Sequence, residues 1–212
     1  MSLTLIIGDR NISVWPLRAW LALKQGGIPF REELVRMRRP ETGAELLKRS
    51  PTGRVPVLID GDVTVWDSLA ICEYAADRFR EKNLWPEDRA ARAMARSITA
   101  EMHSGFQNLR NACSFQITLE TKGFLPPPEA VRDLNRIESL WREARSKYGA
   151  GGPFLFGHFT IADAFYAPVC GRILIYHLNV SPETRAYCDM IWALPAMQEW
   201  IAGAREEAGL AA

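Results

Sequence analysis

Arg54-Val55-Pro56-Val57-Leu58-Ile59-Asp60-Gly61-Asp62-Val63-Thr64-Val65-Trp66-Asp67-Ser68-Leu69-Ala70-Ile71 is the stretch on which the fold turns. Two short apolar runs, 55–59 and 63–66, flank Asp60-Gly61-Asp62, and an Asp-Gly turn between such runs predicts a β-hairpin. Asp67 and Ser68 follow, each able to cap the helix predicted by Leu69, Ile71, Cys72, Ala75 and Phe79. Upstream, Leu3 to Ile7 reads as a buried strand closed by Gly8-Asp9. Residues 15–25 carry an apolar helical stripe with Pro16 in the first turn and Gly26-Gly27 as the stop. Residues 30–35 read as a second strand, and 44–49 as one or two helical turns. Strand, helix, strand, helix, hairpin, helix is an α/β unit of residues 1–82.

Downstream the strand signals stop. Helical patterns cover 89–113, 129–148, 159–174, 182–193 and 195–207, broken by Gly123 to Pro128 and by Gly149 to Pro153. The third is apolar on every side, as expected of a helix at a domain centre. Residues 89–212 are therefore expected to form an all-helical unit, joined to the first through 83–88.

Composition narrows the function. Among 212 residues, 26 Lys and Arg balance 25 Asp and Glu, a formal net charge of +1. This gives no support to nucleic-acid binding, which shows as a strongly basic domain. No apolar run reaches the ~20 residues that span a bilayer. The start, Met1 to Ile7, lacks a basic region and a cleavage site, so the expected location is the cytoplasm. Cys72, Cys113, Cys170 and Cys188 form no C-x-x-C pair, and His103, His158 and His177 lack ligand spacing, so no metal is expected. The cysteines read as free buried thiols.

The element order, with Val55-Pro56-Val57-Leu58, Asp67-Ser68 and Phe159-Thr160-Ile161-Ala162-Asp163, resembles the cytosolic glutathione transferase family over nearly the whole chain. The segment Asn11 to Arg18 is most similar to its serine-type branch, near the zeta and related bacterial classes. The resemblance implies a thioredoxin-like N-terminal domain, an all-helical C-terminal domain, glutathione as co-substrate, a small electrophile as second substrate, and a homodimer. It also implies a cis peptide at Pro56, with the Val55 backbone left to pair with the ligand's cysteinyl segment, and Asp67 and Ser68 as the partners of its γ-glutamyl group.

A thiol with a pKa near ~8.5 is mostly protonated at neutral pH, so the enzyme must favour the thiolate. Ser13, just before the first helix, is the candidate donor to the sulfur; its plain alternative is a backbone cap. Asn11 competes, because aligning the zeta pattern on Trp15 places the family's catalytic serine there. The glycyl carboxylate needs a cation, and Arg38 and Arg54 are the candidates by loop position. For the second substrate the family uses the first C-terminal helix, here with Met102, His103, Phe106 and Arg110. Met102 and Phe106 also read as a core stripe, whereas His103 and Arg110, seven apart, are expected on one face as cations for an acidic substrate. A glutathione-dependent isomerase of the maleylacetoacetate type and a non-catalytic partner-binding protein are the alternatives. Thr160 and Asp163 read as a capping box, a structural motif.

Overall fold

A computed structural model describes residues 3–210; Met1, Ser2, Ala211 and Ala212, the outer ends of the two expected units, lie outside it. The first strand, β1 (Leu3–Ile7), leads into α1 (Val14–Gln25), then β2 (Phe30–Leu34) and the short α2 (Thr42–Leu47). The hairpin β3 (Val57–Asp60) and β4 (Val63–Trp66) feeds α3 (Ser68–Arg78) and a single 3-10 turn, Arg80–Lys82. The sheet order is β2-β1-β3-β4. β2 runs parallel to β1, while β3 is antiparallel to both β1 and β4. Gly61 occupies the first position of the two-residue hairpin loop at φ 63°, where glycine carries no Cβ penalty.

Period-two alternation splits β1 between two cores. Leu3, Leu5 and Ile7 face a large core containing Leu17, Leu21 and Ile71, while Ile6 joins Val35, Leu46 and Val57 on the other side. The outer strand β2 carries Arg31, Glu32 and Glu33, charges that blunt a sheet edge.

The remainder is helical: α4 (Arg89–Ser104), α5 (Gln107–Ala112), α6 (Pro128–Tyr148), α7 (Ile161–Ile175), α8 (Pro182–Trp192) and α9 (Pro195–Glu207). α7 is buried from Ile161 to Ile173. Its capping box forms as expected: Asp163 Oδ2 accepts from the Thr160 N–H at 2.8 Å and hydroxyl at 3.0 Å. Asp163 Oδ1 accepts from the Leu155 N–H at 3.1 Å and the Tyr187 hydroxyl at 2.9 Å. All four cysteines are free and buried.

The single helix expected over 89–113 is a broken one. Gly105 is extended at φ −104°, ψ −164°, and Phe106 is left-handed at φ 57°. Each new end finds a partner from elsewhere. The Asp133 carboxylate of α6 accepts from the Leu109 N–H at 2.9 Å, satisfying the start of α5. The Arg110 guanidinium donates to the Met102 and His103 carbonyls that end α4. His103 and Arg110 therefore do not lie on one helical face.

α1 stands between the sheet and the other helices. Every residue from Pro16 to Leu23 is buried. It packs against α3 on one side and against α7 and α9 on the other, with Trp20 and Trp200 meeting edge to face at 5.1 Å. The core that begins under the sheet runs on without interruption through Phe165 and Trp200.

Candidate active site

A cleft of about 500 Å³ opens where the loop before β3 faces the start of α3. Its walls are Trp15, Thr52, Arg54, Val55, Pro56, Trp66, Asp67 and Ser68. The Val55-Pro56 peptide is cis, as the resemblance implies. β3 begins only at Val57, so the Val55 N–H and C=O lie outside the ladder and bond to no described residue.

Asp67 caps α3, its Oδ1 accepting from the Leu69 N–H at 2.8 Å and from the Ala70 N–H at 3.4 Å. Its backbone sits at φ 76°, ψ 137°, a conformation that a non-glycine residue holds only where its surroundings impose it. Ser68, at the first position of α3, is fully buried, and its hydroxyl finds no hydrogen-bond partner in the chain. A buried hydroxyl left in this state costs about 1–3 kcal/mol. Two rule-breaking residues side by side, on the wall of one cleft, mark a place built for something other than folding.

His103 of α4 packs against two wall residues of this cleft. Its Nε2 stands 3.4 Å from Asp67 Oδ2, its ring meets Trp15 edge to face at 5.0 Å, and its Nδ1 is buried without a partner. Burial pulls the imidazolium pKa down; Asp67 opposes this, while Arg18 and Arg110 add to it. Arg18 lies beneath, with no exposure and no hydrogen bond, its guanidinium over the Trp15 ring at 4.5 Å and the Phe165 ring at 4.8 Å. Burial lowers it to about 9, which leaves it charged at neutral pH.

A second cavity, about 480 Å³, lies on the other side of the β1–α1 loop. Asn11, Ile12, Met37, Arg38, Arg39 and Gln116 contribute to its walls. Asn11 and Ile12 face this cavity and Trp15 faces the first, so Ser13 lies between them along the chain. Ser13 is the N-cap of α1 by position, yet its side chain makes no capping bond, and a Cβ on Gly8 would stand 2.9 Å from its hydroxyl. The missing side chain of Gly8 thus leaves room for the Ser13 oxygen. Asn11 is differently engaged. Its amide donates to Thr118 Oγ1 at 3.0 Å, and its oxygen accepts from the Thr118 N–H at 3.0 Å. That side chain ties the β1–α1 loop to the segment after α5.

The expected residues therefore divide into groups. Val55, Pro56, Asp67, Ser68 and Arg54 share the first cleft. Arg38 does not join them: it turns at φ 60° into the second cavity. Met102 and Phe106 are buried and line neither cavity. His103 stands at Asp67 and Trp15, and Arg110, while donating to the end of α4, lies over the same Trp15 ring at 5.3 Å. Trp15, Thr52, Trp66 and the underlying Arg18 were not foreseen. Only contacts between segments distant in sequence place them.

Family comparison agrees with this geometry. Residues 12–78 match the model for the glutathione S-transferase N-terminal domain, and residues 128–203 match that for the C-terminal domain. The chain belongs to the glutathione S-transferase family. A glutathione S-transferase from Dianthus caryophyllus is 31% identical over 160 residues, covering 73% of this chain and 69% of that one. A probable maleylacetoacetate isomerase from Caenorhabditis elegans is 29% identical over 178 residues, covering 82% and 79% respectively. Among solved structures, a Burkholderia glutathione transferase homologue with bound glutathione superposes with a TM-score of 0.74 at 24% identity, covering 97% of this transferase and all of that chain. In this transferase the N-terminal family match ends at Arg78, the last residue of α3, so it contains the whole first cleft.

Proposed function

We propose that this transferase binds glutathione in the first cleft and delivers its thiolate to a small electrophile held in the second cavity. The observation that carries the reading is the buried, unpartnered Ser68 hydroxyl beside the Asp67 carboxylate and the unpaired Val55 backbone. These are the groups a γ-glutamyl-cysteinyl backbone needs. The Ser68 hydroxyl and the first turn of α3 receive its α-carboxylate, since a helix N-terminus favours an anion. Asp67 Oδ2 receives its ammonium. The Val55 N–H and C=O pair with the cysteinyl unit like an added strand. Arg54 is the cation for the glycyl carboxylate, since it lines this cleft and Arg38 does not.

Ser13 donates to the sulfur. Its hydroxyl is uncommitted and the positive end of α1 adds to the field, and both favour the thiolate over the thiol. The sulfur lone pair then forms a C–S bond with the electrophile as the leaving group departs with its electron pair. Arg38 and Arg39 on the wall of the second cavity fit an anionic electrophile, and the isomerase relative supports one in which the sulfur adds and later leaves. The functional unit is a homodimer located in the cytoplasm, and 1–82 and 89–212 are its two domains.

Thiolate absorbance of bound glutathione, followed against pH, tests the assignment. Ser13→Ala is expected to raise the thiol pKa by about one unit, for one lost charge-assisted bond. Turnover at neutral pH falls by roughly tenfold with it, while glutathione affinity holds. A pKa that moves in Asn11→Ala and not in Ser13→Ala transfers the role to Asn11. A pKa unmoved in both removes a side-chain donor from the mechanism.

A further inference from the structure

The chain between α5 and α6, residues 113–127, forms no helix or strand. Its flanks are tied to the end of α7. The Ser114 hydroxyl meets the Tyr176 hydroxyl at 3.0 Å, and the Thr121 hydroxyl donates to the Ile175 carbonyl. Between them Gln116 to Leu119 make a tight turn, closed by the Leu119 N–H donating to the Gln116 carbonyl at 3.0 Å.

Both central N–H groups of this turn go to one residue. The Ile117 N–H donates to the Asn11 carbonyl at 3.1 Å and the Thr118 N–H to Asn11 Oδ1 at 3.0 Å, while Asn11 Nδ2 donates back to the Thr118 hydroxyl at 3.0 Å. Asparagine suits this place, because its donor and acceptor are separate atoms. The clamp holds the turn against the second cavity, whose wall includes Asn11, Arg38, Arg39 and Gln116. The two carboxylates of that wall are already paired, Asp9 with Arg36 at 3.1 Å and Glu207 with Arg10. With the Asn11 amide spent on Thr118, the neutral side-chain donor left to the cavity is the Gln116 amide, which the clamp does not use.

We propose that Gln116 selects the electrophile by donating to a carbonyl oxygen on it, and that Asn11 is the positioning residue that holds Gln116 there through Thr118. The proposal rests on the reading that the second cavity holds the electrophile. It gives Asn11 a task away from the sulfur.

The probes are trans-3-benzoylacrylate and benzyl chloride, each given to the whole protein with glutathione. In the first, the sulfur lone pair forms a C–S bond at the alkene carbon, the double-bond pair moves towards the ketone oxygen as an enolate, and water returns a proton to carbon. In the second, chloride leaves with its electron pair, and the electrophile has no oxygen for Gln116 to meet. Gln116→Leu is expected to lower the ratio of kcat/KM, benzoylacrylate over benzyl chloride, about tenfold, the loss of one hydrogen bond to a developing charge. Asn11→Ala and Thr118→Val should each lower the ratio several-fold, and Asn11→Ala should lower it no further in the Gln116→Leu background. Glutathione affinity and the thiol pKa are expected to hold in every variant. An unmoved ratio in Gln116→Leu, additive losses in the double variant, or a thiol pKa that moves in Asn11→Ala each overturns the proposal. A parent protein that binds no glutathione, or turns over neither probe, overturns the underlying reading and this one with it.

Discussion

Ser68→Ala separates binding from folding. The hydroxyl is buried and unpaired, so its removal relieves a desolvation cost and leaves the Asp67 cap on α3 intact. The variant is expected to be as stable as the parent, or more stable by about 1 kcal/mol. Glutathione affinity should nevertheless drop roughly tenfold to a hundredfold, the loss of a charge-assisted hydrogen bond. Calorimetry beside a thermal melt reads both effects; a merely structural serine shows the opposite pair. His103 gives a second test. Burial holds its folded pKa below 6.5, so the unfolded chain takes up the proton first. Its contribution to stability is complete above 6.5 and is lost as pH falls through that value towards the folded one. Protonated, it sits opposite Asp67 Oδ2 and would compete with the ammonium proposed to bind there. Glutathione affinity measured from about pH 8 to about pH 5 should therefore be flat and then fall, and His103→Gln should remove the fall. Asp67, Ser68 and Val55 were named through the family resemblance, whose motifs there are local in sequence, and they share one cleft. His103 was named from the sequence too, but its contact with Asp67 was not: Asp67 belongs to another unit, and periodicity carries no such pairing.

At the level of elements, local signals served well wherever an element contains its own start and stop. The hairpin turn, the proline-opened α8 and α9 and the box on α7 are of this kind. The break between α4 and α5 is not, because Asp133 and Arg110, which supply its caps, belong to other turns or another helix. Thr160 to Asp163 provides the sharpest test. Asp163 is fully buried and receives four donors, and burial pushes its carboxyl up against their pull. Asn in its place keeps the size but turns an amide N–H₂ towards donors on one side. Asp163→Asn is expected to cost about 3 kcal/mol or more, read from the urea midpoint. Glutathione affinity per folded molecule should stay unchanged, since the residue touches neither cavity.

The whole molecule is held by contacts that no local pattern announces. Arg10, in the β1–α1 loop, pairs with Glu207 at the end of α9 and with Glu32 of β2, and the Trp200 indole donates to the Arg10 carbonyl at 3.0 Å. Such pairs bring the last helix against the loop that carries Ser13. The two-unit architecture itself was legible, because strand and helix periodicities change once, near residue 83, and the family resemblance supplied their packing. Assembly belongs to this scale too. Light scattering at micromolar concentration is expected to give twice the 23.9 kDa chain mass; a monomer with full turnover would count against the homodimer.

The burial of α1 from Pro16 to Leu23 has a further consequence. Leu17, Leu21 and Leu23 belong to the same core as Phe165 and Trp200, and no water-facing seam divides the two units at this helix. Cut at the 83–88 connection, the sheet half would expose the flank of α1 bearing Arg18 and Trp20, and the helical half would lose the surface that covers α7 and α9. Two regions recognisable as separate in sequence thus share one cooperative free energy of unfolding. Opening either exposes the common helix, so a single melting transition is expected, and a defect deep in α7 is felt at the β1–α1 loop as lost population of the folded state.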